Sequence, residues 1–135
     1  VVVPESYGIP IATLVAERKG KPLAIVRKRN IGIEPEAKVD YASGYESGTY
    51  YIYGVNPGER IIIIDDAIST GGTIDSLIGY FINNSVDVAA VACSISKDMY
   101  GGRRLIMDKY GIRVRAPIVL DFDDKGNLTV KFELD

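Results

Sequence analysis

The stretch at residues 61–73 constrains the fold of this chain more than any other part of its sequence. It begins with four consecutive isoleucines, and such a β-branched apolar run is typical of a strand buried on both faces. Two aspartates follow and then, after a two-residue spacer, two small hydroxyl residues, two glycines and a threonine. Apolar residues with helical spacing come next. This order predicts a strand at 60–65, a glycine-rich turn and a helix at 72–83.

The other apolar segments predict an α/β fold with a doubly wound, mostly parallel sheet. Further elements are expected as strands at 1–3, 23–26, 86–95 and 114–120, and as helices at 9–18 and 103–110. Residues 31–58 are rich in glycine, proline and tyrosine, which favours a β-ribbon in which Tyr50, Tyr51 and Tyr53 pack. Two alternating runs around 124–127 predict a C-terminal antiparallel hairpin.

Four polar loops follow strands of this sheet, and ligands of doubly wound sheets bind at the carboxyl ends of the strands. These loops are residues 4–8, 27–30, 65–73 and 97–102. Their common position at one edge of the sheet predicts a single site built from all four.

Composition and charge narrow the class of protein. The 135 residues carry a net charge of −2 and contain no apolar run of membrane-spanning length, so we expect neither a membrane nor a nucleic acid as partner. Cys93 is the only cysteine and lies in an apolar run, which predicts a buried structural thiol and a reducing, cytoplasmic location. The chain has no histidine, which excludes histidine-based triads and most zinc sites.

The strand, acids and glycine turn together suggest a site for a sugar phosphate. Backbone N–H groups at a helix N-terminus bind phosphate, and Asp65 and Asp66 can accept hydrogen bonds from sugar hydroxyls. The alternative is an ordinary strand–helix turn with an acidic cap. That alternative does not require two adjacent carboxylates, which repel each other.

Residues 61–73 resemble the phosphoribosyl-diphosphate (PRPP) motif of type I phosphoribosyltransferases along the whole length of that motif. Similar segments include residues 5–11, 24–29 and 43–48 and the hairpin ending. The chain is most similar to archaeal-type hypoxanthine/guanine enzymes, which are related to adenine phosphoribosyltransferase. The resemblance implies a Mg²⁺-dependent glycosyltransferase of purine salvage, a homodimer, that joins a nucleobase to the phosphoribosyl group of PRPP and releases pyrophosphate.

The resemblance also assigns roles to individual residues. It implies that Asp65 and Asp66 are the catalytic carboxylates, that they bind the ribose hydroxyls, and that they contact PRPP-bound Mg²⁺ through water; it assigns no direct metal ligand. The residues implied to wrap the 5′-phosphate are Ala67, Ile68, Ser69, Thr70, Gly71, Gly72 and Thr73. Those implied to line the pyrophosphate, on a loop that is often strained in the family, are Glu5, Ser6, Tyr7 and Gly8, with Arg27 and Lys28. Residues 31–50 resemble a flap that closes over PRPP.

The identity of the base stays open at this point. Some enzymes for 6-oxopurines have an aspartate where this chain has Ser69, and adenine enzymes have a flap acid before a tyrosine, whereas Glu46 follows Tyr45. Glu46 is therefore only a candidate general acid or base. Lys97 and Tyr100 are candidates for binding the base carbonyl and stacking on its ring.

Three further expectations follow. Residues 1–135 are expected to form one phosphoribosyltransferase domain that lacks the preceding residues with which the family often reads the base. The first alternative function is orotate transfer, although the flap lacks the basic and glycine-rich run usual in orotate enzymes. The second is a PRPP-sensing regulator without catalytic turnover.

Overall fold

A seven-stranded sheet organises the part of the chain that the computed structural model describes, residues 1–35, 37–42, 44 and 46–133. The elements follow in the order β1 (Val2–Pro4), α1 (Ile9–Lys19), β2 (Ala24–Val26), β3 (Ala37–Ala42), β4 (Ser47–Ile52), β5 (Arg60–Ile68), α2 (Gly72–Asn83), β6 (Asp87–Lys97), α3 (Gly102–Tyr110), β7 (Val114–Arg115), β8 (Ile118–Phe122) and β9 (Leu128–Phe132). The sheet has the strand order β2-β1-β5-β6-β8-β9, and the short β7 also pairs with β6.

The sheet is parallel except at one edge. Strands β2, β1, β5, β6 and β8 run parallel to one another, whereas β9 runs antiparallel to β8 as the second strand of the C-terminal hairpin. This architecture confirms the predicted α/β class with a mostly parallel sheet and a terminal hairpin. The carboxyl ends of the parallel strands therefore meet at one edge.

The four isoleucines place β5 at the centre of the core. Ile61 and Ile63 belong to the apolar cluster that includes Phe81 of α2, whereas Ile64 packs in a second cluster with Ala12 of α1. Side chains alternate between the faces of a strand, so consecutive isoleucines serve opposite layers. Strand β5 has a helix packed on each face, and both of its faces must therefore be apolar. This explains the four consecutive isoleucines.

Strand β5 extends further than the sequence indicated. It was expected to end at residue 65, but its ladder with β6 continues to the pairs Ala67–Ile95 and Ile68–Ser96. The acid pair therefore lies inside the last part of the strand rather than after it. The backbone of both aspartates is held in extended geometry by this pairing.

The strand expected at 114–120 is divided into β7 and β8. Pro117 lies between them, and proline has no N–H to donate to a ladder. Both pieces pair with β6, at Val91 and Ile95 respectively, so they lie one after the other along the same side of that strand.

The predicted ribbon forms a separate two-stranded sheet of β3 and β4. Tyr41 and Tyr50 bring it into the main core, where both side chains are buried. The ribbon thus packs beside α2 and close to the carboxyl edge of the central sheet. Among the described residues, no helix has the length and apolarity to cross a membrane.

Candidate active site

One pocket of about 260 Å³ lies at the carboxyl edge of the sheet. The pocket is lined by the loop after β1, by Lys28 after β2 and by the ribbon. The end of β5, the turn that follows it and the end of β6 complete the lining. Its lining consists of Glu5, Ser6, Tyr7, Lys28, Glu46, Tyr50, Asp65, Asp66, Ala67, Ile68, Ser69, Thr70, Gly71, Gly72, Thr73, Ile74 and Lys97.

The acid pair forms the floor of the pocket. Asp66 donates its backbone N–H to Oδ1 of Asp65 at 2.8 Å. Burial, followed by interaction with the neighbouring Asp66, raises the pKa of Asp65 to about 8 from an ordinary value of 3.8. Asp65 therefore holds its proton more tightly than a free aspartate does. A cation or a set of sugar hydroxyls would favour its ionised form.

The glycine turn joins the end of β5 to α2. Gly71 has a φ of +84°, in the left-handed region that suits glycine, and it precedes the first residue of the helix. No side chain caps this helix, so within the described residues its first N–H groups keep their hydrogen-bonding capacity toward the pocket. Ser69, Thr70 and Thr73 add hydroxyls to the same wall. Such a turn can bind a dianionic phosphate.

The start of α3 supports this turn from behind. Gly102 donates its backbone N–H to the carbonyl of Ser69 at 2.9 Å. A Cβ added to Gly71 would lie 3.1 Å from the Cα of Gly102, which shows how closely the two backbones approach. The sequence placed Gly101 and Gly102 beside Tyr100 but contained no signal that they contact residues 69–71.

The loop after β1 forms the opposite wall. The peptide bond between Glu5 and Ser6 in this loop is cis. The Glu5 carboxylate accepts the backbone N–H of Lys28 at 2.8 Å and Nη1 of Arg27 at 3.3 Å, and the first of these bonds lowers the pKa of Glu5. Gly8 packs directly on β5, because a Cβ there would lie 2.9 Å from the Cα of Asp65.

The ribbon reaches the pocket through Glu46 and Tyr50. The Lys28 ammonium donates to Oε1 of Glu46. The ring of Tyr50 stacks on that of Tyr41 with centroids 4.0 Å apart, and its hydroxyl interacts with the side chain of Thr73. The packing role predicted for Tyr50 is therefore confirmed, and the same residue also lines the pocket.

The predicted site residues lie at different distances from the pocket. All nine residues from Asp65 to Thr73 line it, together with Glu5, Ser6, Tyr7, Lys28, Glu46 and Lys97. Gly8 and Arg27 stand behind this lining, where they support Asp65 and Glu5. Tyr100 contributes instead to a separate surface hollow with Asp121 and is 54% exposed, so its stacking role stays a prediction. Tyr45 and Ser43 lie outside the described residues.

Cys93 has the predicted structural role. Its side chain is buried on β6, opposite Asp65 in the register, and burial raises the pKa of its thiol. A protonated, enclosed thiol is a poor nucleophile.

Comparison with known proteins gives one consistent family. A family model for the phosphoribosyl transferase domain matches residues 1–124. Hypoxanthine/guanine phosphoribosyltransferases from Methanobacterium paludis, Methanohalobium evestigatum and Methanococcus maripaludis are 36, 37 and 36% identical over 100, 90 and 95% of the chain. The matched region spans 70, 63 and 69% of these three relatives.

Solved structures agree on the fold. Adenine phosphoribosyltransferase from Thermoanaerobacter pseudethanolicus matches with a TM-score of 0.76 at 23% identity. The matched region spans 90% of this chain and 69% of that enzyme's chain. The Rhodothermus marinus adenine enzyme has a TM-score of 0.74 at 25% identity over 85% of this chain and 66% of its own. The family model, the archaeal relatives and the shared fold confirm the resemblance, and the chain belongs to the phosphoribosyltransferase family.

Proposed function

We propose that this chain transfers the 5-phosphoribosyl group of PRPP to a purine base, with hypoxanthine or guanine as the first candidates, and releases pyrophosphate. One observation carries the proposal: a single pocket joins an acid pair, an uncapped helix N-terminus and a loop bearing Lys28. These are suitable partners for the ribose, the 5′-phosphate and the pyrophosphate of PRPP. The named relatives support a purine rather than orotate as the acceptor.

We assign the three parts of PRPP to the acid pair, the glycine turn and the loop after β1. Asp65 and Asp66 accept hydrogen bonds from the ribose hydroxyls, and the backbone N–H groups of 67–73 bind the 5′-phosphate with help from the Ser69, Thr70 and Thr73 hydroxyls. Residues 5–7 and Lys28 receive the pyrophosphate, while Arg27 holds Glu5 in place. Fixing both ends of the sugar phosphate leaves C1 exposed to the base, which lowers the entropic cost of reaction.

The chemistry requires charge stabilisation rather than a covalent intermediate. As the bond from C1 to pyrophosphate breaks, positive charge develops on the sugar, and the carboxylates beneath it stabilise that charge. The Lys28 ammonium stabilises the negative charge on the leaving group. The chain has no histidine, and its one thiol is buried, so the residue types fit a mechanism without a protein nucleophile.

The pocket suits Mg²⁺ only as a partner of PRPP. Among the described residues, no three cysteine or carboxylate side chains cluster closely enough to hold a metal. Mg²⁺ usually keeps several waters when it binds to substrate phosphates, and the carboxylates of Asp65 and Asp66 could accept hydrogen bonds from those waters. Bound there, the ion would neutralise pyrophosphate charge. Asp65 and Asp66 would contact it through water.

Lys97 is the residue we assign to the base. It ends β6 and lines the pocket beside the turn, so its ammonium can donate to a carbonyl oxygen such as O6 of hypoxanthine or guanine. We further propose that residues 1–135 act as one domain and assemble as a homodimer, which sedimentation of the purified chain would test.

The test is a base panel run on the full chain with PRPP and Mg²⁺. We expect consumption of hypoxanthine or guanine with equal release of pyrophosphate, and no consumption of orotate. The control variant Asp108→Asn should keep this activity, because Asp108 has an exposed carboxylate that pairs with Arg104 on α3, away from the pocket. PRPP binding without turnover of any purine would favour the regulator, and orotate turnover would favour the other alternative.

A further inference from the structure

An ion pair between Lys28 and Glu46 joins two of the segments that line the pocket. Lys28 belongs to the segment after β2, and Glu46 immediately precedes β4 of the ribbon. Their side chains are 36% and 50% exposed, and both line the pocket. The bond raises the pKa of Lys28 and lowers that of Glu46. The pair therefore connects the pyrophosphate wall to the ribbon.

The ribbon end of this pair is anchored to the opposite wall. Glu46 interacts with the hydroxyl of Tyr41, whose ring stacks on Tyr50. Tyr50 is only 2% exposed and interacts with Thr73 in the turn assigned to the 5′-phosphate. A continuous series of contacts thus runs from Lys28 through the ribbon to the phosphate turn.

The two ends of Lys28 have different tasks. Its backbone N–H is held by Glu5, which fixes the segment independently of the side chain. Its ammonium is the part that contacts Glu46, and the same ammonium is the group assigned to pyrophosphate. Glu46 and a bound pyrophosphate group would therefore compete for one cation. The pairing also keeps Glu46 ionised, which makes it a poor proton donor.

We propose that Glu46 is a positioning residue that holds Lys28 and the ribbon in the unliganded site and gives up Lys28 to the pyrophosphate group of PRPP. This inference rests on the proposed function, because it uses the pyrophosphate wall assigned there. Exposed ion pairs are weak, so a group with several negative charges can displace the single carboxylate. Glu46 then opposes binding of PRPP and assists release of pyrophosphate.

Calorimetry with PRPP and with inorganic pyrophosphate, each in the presence of Mg²⁺, tests the competition. We expect Glu46→Gln to bind both ligands about two- to tenfold more tightly than the wild type, in keeping with the strength of an exposed ion pair. A purely structural role for Glu46 would weaken binding instead. Asp87→Asn, which breaks another exposed ion pair at the far end of β6, should leave both affinities unchanged.

A double-mutant cycle locates the effect. Lys28→Met should weaken pyrophosphate binding. The double variant Lys28→Met/Glu46→Gln should bind pyrophosphate no more tightly than Lys28→Met alone, because the cation for which Glu46 and pyrophosphate compete is gone. Hydrogen exchange of the unliganded proteins gives an independent readout, in which Glu46→Gln should speed exchange near the start of β4. Equal or weaker binding by Glu46→Gln would overturn the inference.

The other possible role of Glu46 has a different signature. A general acid or base would lower kcat by about 10²- to 10⁴-fold when changed to glutamine and leave pyrophosphate affinity unaltered, which would also overturn the inference. If the wild-type chain itself failed to bind PRPP, the proposed function would fall together with the inference. If the wild type binds and only the tightening is missing, the proposed function stands and the role of Glu46 does not.

Discussion

Asp65 and Asp66 are neighbours in sequence but occupy different environments. Asp65 lies opposite Cys93 in the ladder between β5 and β6, with the backbone of Gly8 packed on it, and its pKa is raised to about 8 by burial and by Asp66. The unliganded protein therefore holds a proton near the site assigned to the ribose. Ligand binding and the titration of Asp65 should be linked.

This pKa predicts how stability changes with pH. Folded Asp65 binds its proton more tightly than the unfolded side chain, so its contribution to the free energy of unfolding is complete below pH 3.8 and is lost as pH rises toward about 8. Asp65→Asn cannot ionise. We expect the variant to gain stability relative to the wild type progressively from about pH 4 to 8 and to keep that gain above pH 8.

Urea denaturation at a series of pH values measures this difference. Asp108→Asn, which alters an exposed carboxylate on α3, should show no comparable growth of stability with pH. A constant difference between Asp65→Asn and the wild type from pH 4 to 8 would contradict the assigned pKa of Asp65.

At the scale of elements, the phosphate turn depends on α3 as well as on β5 and α2. Gly102, the first residue of α3, is buried against the turn, and a Cβ there would lie 2.8 Å from the backbone nitrogen of Gly71 and 3.0 Å from Cγ1 of Ile68. The contacting atom of Gly71 is a backbone atom, which cannot move aside as the end of a flexible side chain could. Helix α3 therefore sets the position of N–H groups that belong to another element.

Gly102→Ala should push α3 away from the turn. Overpacking of this kind costs about 1–3 kcal/mol in the free energy of unfolding, and the displaced N–H groups should also bind PRPP less tightly. Chemical denaturation and calorimetry measure the two effects. Arg104→Ala, at a largely exposed position on the same helix, should change stability by less than about 0.5 kcal/mol. A Gly102→Ala protein as stable as the wild type would show that the contact is unimportant.

At the scale of the whole molecule, the site exists only when several strands are aligned. Its residues come from the ends of β1, β2, β5 and β6 and from the ribbon, which are far apart along the chain. The unfolded chain cannot assemble these groups, so a ligand that joins them binds only the folded state. Such a ligand stabilises the fold by mass action.

PRPP with Mg²⁺ should therefore raise the melting temperature, with a stabilisation of about 2.7 kcal/mol at a concentration one hundred times Kd. Asp66→Asn should lose most of this shift, because charged hydrogen-bond acceptors for the ribose contribute about 1.5–3 kcal/mol, while its unliganded melting temperature changes little. Differential scanning fluorimetry with and without PRPP measures both quantities. An undiminished shift in Asp66→Asn would remove the ribose assignment.

Local sequence was sufficient for most elements. The helix at 72–83 was predicted with the bounds that the structure shows, because its apolar spacing and the preceding glycines are local signals. Two boundaries were wrong, for different reasons. Strand β5 continues through the acids because the distant strand β6 pairs with it. The last parallel strand is divided at Pro117, which lacks an N–H and is itself a local signal.

The sequence by itself determined the acid pair, the glycine turn and the loops at one sheet edge, since these depend on residue type, short spacing and the alternation of strands with helices. Tertiary structure decided which residues face the pocket. It brought Glu46 to Lys28, Tyr50 to Thr73 and Gly102 to the turn. Each of these contacts joins segments whose separation is set by the packing of the ribbon and α3, and no local pattern encodes that distance.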